Sequence, residues 1–130
     1  MTSFVQNVAF DCADACALAQ FWSKVTGRPV SGEDRPGDPE ALVSLSSGVD
    51  LVFCQVPEGK SVKNRVHVCL RPDEGPRDAE VERLLGIGAT LVSDKRNPDG
   101  TGWAVLADPE GNEFCVLRSL AEVAEGPTQS

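Results

Sequence analysis

The sequence predicts an α+β fold built from two similar modules, each running strand, helix and three strands. Three observations carry this prediction. An apolar stripe at helical spacing follows the first strand-like segment, the same strand and helix order returns in the second half, and corresponding residues keep a nearly constant offset. Asn7 and His67 are 60 positions apart, Gly27 and Gly88 61, and Gly48 and Gly111 63. A duplicated module accounts for all three spacings.

Taken in order, Ser3 to Asp11 is strand-like. Asp14 then precedes Leu18, Phe21, Trp22 and Val25, which recur at i, i+3, i+4 and i+7 and so form one face of a helix with an aspartate N-cap. Phe21 and Trp22 belong to the core on this reading. Gly27 ends the helix, a short strand is expected near Arg28 to Ser31, and Gly32 to Pro39 has the composition of a loop. Ala41 to Leu45 and Leu51 to Gln55 read as strands around a turn. Pro57, Gly59 and alternating charge mark Val56 to Lys63 as the joint between halves.

The order then repeats: a strand from Arg65 to Leu70, a loop through Pro72 and Pro76, and a helix carrying Val81, Leu84 and Leu85 that ends at Gly86 to Gly88. Strands near Ala89 to Ser93, Trp103 to Ala107 and Glu113 to Leu117 complete the second half. The expected organisation is one domain over residues 1–120, made of module 1–58 and module 62–120, with a flexible acidic tail at 121–130 that buries little surface.

At 130 residues, 41% apolar and 25% charged, the chain has the size and composition of a single domain with a real core. Its net charge is -8, with 20 acidic against 12 basic residues and no long Lys/Arg run, so no nucleic-acid partner is expected. No apolar stretch approaches the roughly 20 residues that span a bilayer, and Met1 to Gln6 lacks a charged segment followed by an apolar one. No membrane association and a cytoplasmic location are expected. The five cysteines, Cys12, Cys16, Cys54, Cys69 and Cys115, are odd in number and form no CxxC pair, which reads as reduced thiols. Cys12, Cys16, Cys54 and Cys69 are expected to pack as small hydrophobes.

Phe21-Trp22 on the first helix, Asn64-Arg65-Val66-His67 opening the second half and Asp108-Pro109-Glu110-Gly111-Asn112-Glu113-Phe114-Cys115 opening the last strand resemble the vicinal oxygen chelate superfamily. Within it, the chain is similar to glyoxalase-like domains of the actinobacterial type, from Val5 to about Leu117. The resemblance implies a glyoxalase/bleomycin-resistance/dioxygenase-like fold, in which the two βαβββ modules form a curved mixed sheet with a concave pocket for a ligand. It also implies a homodimer. Superfamily members include metal-dependent isomerases, lyases, dioxygenases, epimerases and antibiotic-sequestering proteins, so the fold does not select the chemistry.

Strand alternation assigns faces without the resemblance. Val66, Val68 and Leu70 form one apolar face suited to packing under a helix, which turns Arg65, His67 and Cys69 to the other side. Val8 and Phe10 likewise separate from Asn7 and Ala9, and Phe114 and Val116 from Glu113, Cys115 and Leu117. The expected ligand-lining residues are Asn7, His67, Cys69, Glu113 and Cys115, joined by Trp103. That tryptophan follows a turn-rich loop and is read equally as pocket rim or core.

The superfamily's metal ligands come from the first and fourth strands of each module, positions that fall here on Asn7 and Val52, then on His67 and Cys115. Asn7 is a weak ligand and Val52 has no donor atom. A slip of two residues would bring Glu113 to the site, about 7 Å along the strand. No cofactor is predicted. If a divalent metal is held, His67 and Cys115, joined by Cys69, are its ligands, and zinc is the suited ion.

Asp108 to Asn112 reads as a turn before it reads as an acid/base site. Glu113 is the best-placed carboxylate, with a surface ion pair as its competing reading. Lys60, Lys63, Asn64 and Arg65 either attract an anionic ligand or form a solvated linker. The catalytic residues are not fixed by the sequence; His67 and Glu113 are the candidates for moving a proton. The expected function is metal-independent binding of a small organic ligand in the pocket between the modules, for sequestration or for isomerase- or hydratase-type acid/base chemistry. The alternative is a metal-dependent lyase or dioxygenase using His67 with Cys115 or Glu113. A third reading is an accessory dimerisation module with a collapsed pocket.

Overall fold

Alternation from Val8 to Cys12 produces the first strand, β1 (Asn7–Cys12), in which Val8, Phe10 and Cys12 face inward while Asn7, Ala9 and Asp11 are exposed. The structure is a computed structural model and describes residues 2–32 and 34–126. The Asp14 carboxylate accepts the Ala17 N–H and starts helix α1 (Ala15–Thr26), which Gly27 closes at φ 71°. The expected stripe is buried along its whole length, with Trp22 fully enclosed. Phe10 and Phe21 pack against Trp22 at centroid distances of 5.2 and 5.6 Å, and Phe10 meets Phe53 at 5.3 Å, so tilted aromatic contacts fix the helix to its sheet.

Strands β2 (Glu40–Ser44) and β3 (Asp50–Gln55) pair antiparallel, and β1 adds parallel to β3, giving the order β1-β3-β2. The strand expected to begin at Ser3 begins only at Asn7, where its register partner Asp50 opens β3. The strand expected near residues 28–31 contracts to a single bridge, Val30 to Val43. Pro29 has no N–H to offer a ladder there.

The second sheet contains β4 (Val68–Leu70), β5 (Thr90–Asp94), β6 (Ala104–Ala107) and β7 (Glu113–Val116) in the order β4-β7-β6-β5. Strand β4 is parallel to β7, and the other pairs are antiparallel. Helix α2 (Arg77–Gly86) covers this sheet with Val81 and Leu84. A register shift between Leu91 and Ser93 interrupts the β5 ladder, and the neighbouring Leu91 and Val92 are both exposed. The contacts divide the chain into two compact units, the first ending at Ser61 and the second beginning at Val62.

Two expectations are corrected in the second unit. The strand predicted from Arg65 starts at Val68, and Val66, assigned to the face under a helix, is 78% exposed. Asn64 draws the chain into a bend through hydrogen bonds to Glu113 and His67, so alternation does not yet apply at residue 66. The tail expected to be flexible from residue 121 instead forms most of helix α3 (Leu120–Glu125), closed by a capping box between Ser119 and Glu122. Glu122 also accepts the Arg77 N–H at 2.7 Å and so caps α2, whose N-cap residue Pro76 has no side chain able to do this. Residues 127–130 of that expected tail lie outside the described residues. No helix among the described residues is long and apolar enough to cross a membrane.

Candidate functional site

The polar residues of the second unit gather where β4 and β7 begin. A turn from Asp108 to Asn112 delivers the chain into β7: the buried Asp108 carboxylate accepts the Glu110 and Asn112 N–H groups at 2.9 Å each, as well as the Asn112 side-chain amide, and Gly111 supplies φ 88°. The Asp108 carboxylate is thereby committed to the turn. Glu113 becomes the first residue of the strand, half-buried.

Glu113 is held by Asn64 through two hydrogen bonds. Its Oε1 accepts the Asn64 backbone N–H at 2.9 Å, and its own N–H donates to Asn64 Oδ1 at 3.3 Å. The Asn64 carbonyl lies 2.9 Å from His67 Nε2 and 3.4 Å from Lys63 Nζ. A carbonyl only accepts, so this contact assigns a proton to Nε2, and in the corresponding neutral tautomer Nδ1 carries the lone pair. Lys63 Nζ, 3.2 Å from the same Nε2, shares the carbonyl as a second donor. Asn64 thus joins a carboxylate and an imidazole in one hydrogen-bonded set. The sequence placed Asn64 in the basic cluster and in the segment opening the second half, without assigning it to the site; its signal was an asparagine three residues before His67, a residue type that readily bonds nearby backbone.

Cys69 and Cys115 are Cα partners in the parallel β4–β7 ladder. Cys115 is buried, whereas Cys69, on the edge strand, is exposed rather than packed inside as expected. Within its sheet, β4 pairs with β7 on one side only. Burial pushes the Cys115 thiol pKa up, and the nearby Cys69 thiol pushes it further. His67 immediately precedes β4, so extending the register sets it opposite Glu113, about 7 Å along the strands from the cysteine pair. His67, Cys69, Glu113 and Cys115 therefore share one face.

Trp103 is not among them. It is 43% exposed, which removes the core reading, and it precedes β6, whose first residue Ala104 pairs with Val116 and whose last, Ala107, pairs with Glu113. The indole-bearing residue lies at the opposite end of the sheet from Glu113, about 14 Å along the strands. In the first unit, Asn7 is exposed at the start of β1, and Val52 pairs with Ala9 and Leu42.

These donors do not fit the superfamily's metal. Val52 offers no donor atom and Asn7 is a weak ligand, so only His67 and Cys115 of the four positions carry good donors. Among the described residues, no three His, Cys, Asp or Glu side chains are grouped to hold an ion.

The family model for the glyoxalase-like domain matches residues 7–117. The chain belongs to the glyoxalase-like domain family. Solved structures share its fold. A glyoxalase/bleomycin resistance protein/dioxygenase family enzyme from Burkholderia phytofirmans PsJN superposes with a TM-score of 0.68 at 19% identity, covering 88% of this chain and 97% of that one. A possible glyoxalase from Bacillus cereus gives 0.65 at 19% identity, covering 89% and 99%. A mutant of the fosfomycin resistance protein FosX from Listeria monocytogenes, complexed with manganese(II) and a dihydroxypropylphosphonic acid, gives 0.68 at 12% identity, covering 92% of each chain. At these identities the likeness is one of fold. No curated protein matches the chain. The chemistry of this glyoxalase-like protein has to be argued from its own residues.

Proposed function

We propose that this glyoxalase-like protein, of the actinobacterial type by the resemblance carried by Phe21-Trp22, Asn64 to His67 and Asp108 to Cys115, binds a small organic ligand without a metal on the face carrying His67, Cys69, Glu113 and Cys115. The observation that carries the reading is the Glu113–Asn64–His67 set, which holds a carboxylate and an imidazole in fixed positions on one scaffold. The carboxylate and the Nδ1 lone pair are acceptors, so the suited ligand carries hydroxyl or amine donors. The same two groups suffice for isomerase- or hydratase-type proton transfer, with Glu113 taking a proton and His67 Nδ1 exchanging one. Sequestration would use the same contacts without the transfer.

Metal independence is supported by the donor chemistry at Asn7, a weak ligand, and Val52, which has no donor atom. A metal-dependent lyase or dioxygenase using His67 with Cys115 or Glu113 is the second reading, favoured by the manganese reported for the Listeria neighbour. Thermal unfolding of chelator-stripped protein with zinc, manganese(II), nickel and iron(II) separates them. A resident metal at a hundredfold excess over Kd stabilises by about 2.7 kcal/mol, a shift of several degrees in Tm for a domain this size. No shift is expected. A stoichiometric metal whose shift disappears in His67→Ala would overturn the metal-free reading. Ligand binding itself is read by NMR with a panel of small diols, hydroxy acids and amino alcohols: hits should move the Asn64, His67 and Glu113 amides and weaken in Glu113→Gln.

A further inference from the structure

The ladder that pairs Val68 with Phe114 and Leu70 with Val116 sets Cys69 directly beside Cys115. Neighbouring strands run about 4.8 Å apart, inside the Cα separation of roughly 4.4–6.8 Å that a disulfide accepts. Register partners in a parallel ladder project to the same face. Their surroundings differ: Cys69 is exposed on the edge strand, while Cys115 lies on an inner strand at 6% exposure.

We propose that Cys69 and Cys115 are a redox-active dithiol that closes reversibly to a cross-strand disulfide when the protein meets a small-molecule disulfide. Cys69, the accessible thiol, loses its proton and attacks one sulfur of oxidised glutathione, forming a mixed disulfide and expelling one glutathione thiolate. Cys115 then loses its proton to solvent and attacks the Cys69 sulfur, forming the internal disulfide and expelling the second thiolate. The protein gives up two electrons and two protons, and oxidised glutathione becomes two molecules of glutathione. Exposure of the Cys69 sulfur leaves the bond open to reductants, which makes the change reversible.

The other cysteines provide an internal contrast. Cys12 pairs with Gln55, and Cys54 with Asp11, so Cys12 and Cys54 project from opposite faces of their sheet. The Cys12 thiol instead donates to the Cys54 carbonyl oxygen at 3.5 Å. Cys16 stands on α1. The proposal does not depend on the ligand or metal reading of the same face.

Native full-length protein is incubated with oxidised glutathione, alkylated in denaturant and examined by intact mass and peptide mapping. Two of the five thiols should escape alkylation, the mass of a portion left unalkylated should fall by about 2 Da, and the Cys69 and Cys115 peptides should be joined, with dithiothreitol restoring all five. Cys115→Ser should stop at one glutathionyl group on Cys69. Retention of all five thiols would overturn the proposal. So would a persistent mixed disulfide on Cys69 in the unsubstituted protein, or a linkage using Cys12, Cys16, Cys54 or a second chain.

Discussion

Arg77 is buried at 3% exposure at the first turn of α2 and holds together a stretch that its sequence neighbours do not reveal. Its guanidinium donates to the carbonyls of Gly100, Thr101 and Gly102 at 3.0, 3.2 and 3.0 Å, and through Nε to Asp78 at 3.0 Å. The same loop needs glycine at residue 102, where φ is 90° and a Cβ would run into the Lys95 carbonyl oxygen. Burial raises the Asp78 carboxyl pKa, but hydrogen bonds and charge from Arg77 and Arg96 outweigh it and leave the group lowered. Hydrogen bonds from Arg96 draw Asp94 down to about 2. Because Asp78 is largely exposed, the ion pair itself contributes little, and the three carbonyls dominate. Arg77→Ala should therefore cost about 3 kcal/mol, read as a lower urea midpoint at unchanged m. A loss under about 1 kcal/mol would mean that water replaces the guanidinium at those carbonyls.

Helix α3 is too short to be stable alone and buries no residue, yet it is tied at both the sequence and the tertiary level. The Ser119-x-x-Glu122 box is local, whereas the Glu122 bond to Arg77 N–H joins α3 to the start of α2. Burial raises the Glu122 carboxyl pKa, but the Ser119 and Arg77 hydrogen bonds outweigh it and hold the group below its ordinary range. Glu122→Ala removes a cap from two helices together and should destabilise by about 1–2 kcal/mol in chemical denaturation, with Glu122→Gln keeping much of the wild-type stability because an amide oxygen still accepts. Equal loss in both variants would assign the effect to charge rather than to capping. The capping box was legible in the sequence, but the acidic, Pro-ended composition around it argued for a frayed tail. The contact that outweighs composition comes from a helix more than 40 positions earlier.

At the scale of the whole molecule, the described residues form two units, each with its own sheet and buried aromatic or aliphatic centre, Trp22 and Phe53 in the first and Leu106 and Phe114 in the second. Strand order predicts their relative protection. Amides of β3, and of β6 and β7, have partners on both sides, whereas β4 and β5 are edges. Hydrogen exchange should be slowest in β3, β6 and β7 and faster in β4 and β5. Protection of β4 equal to that of β7 would mean that another element covers its edge.

The sequence by itself determined the elements that depend on neighbours along the chain. The stripe from Leu18 to Val25 with its Asp14 and Gly27 ends, the turn at Asp108 to Asn112, the duplicated order and the family resemblance all follow from helical period, capping and positive φ, which are local properties. Tertiary structure alone decided which functional groups meet. Asn64 reaches Glu113 across 49 positions, Cys69 lies against Cys115 through ladder register, and Trp103 falls at the far end of the sheet from Glu113. A one-residue change of register or a bend at residue 64 would redistribute all of these contacts without altering any local pattern, because hydrogen-bond partners across strands are set by chain packing and not by the residues on either side.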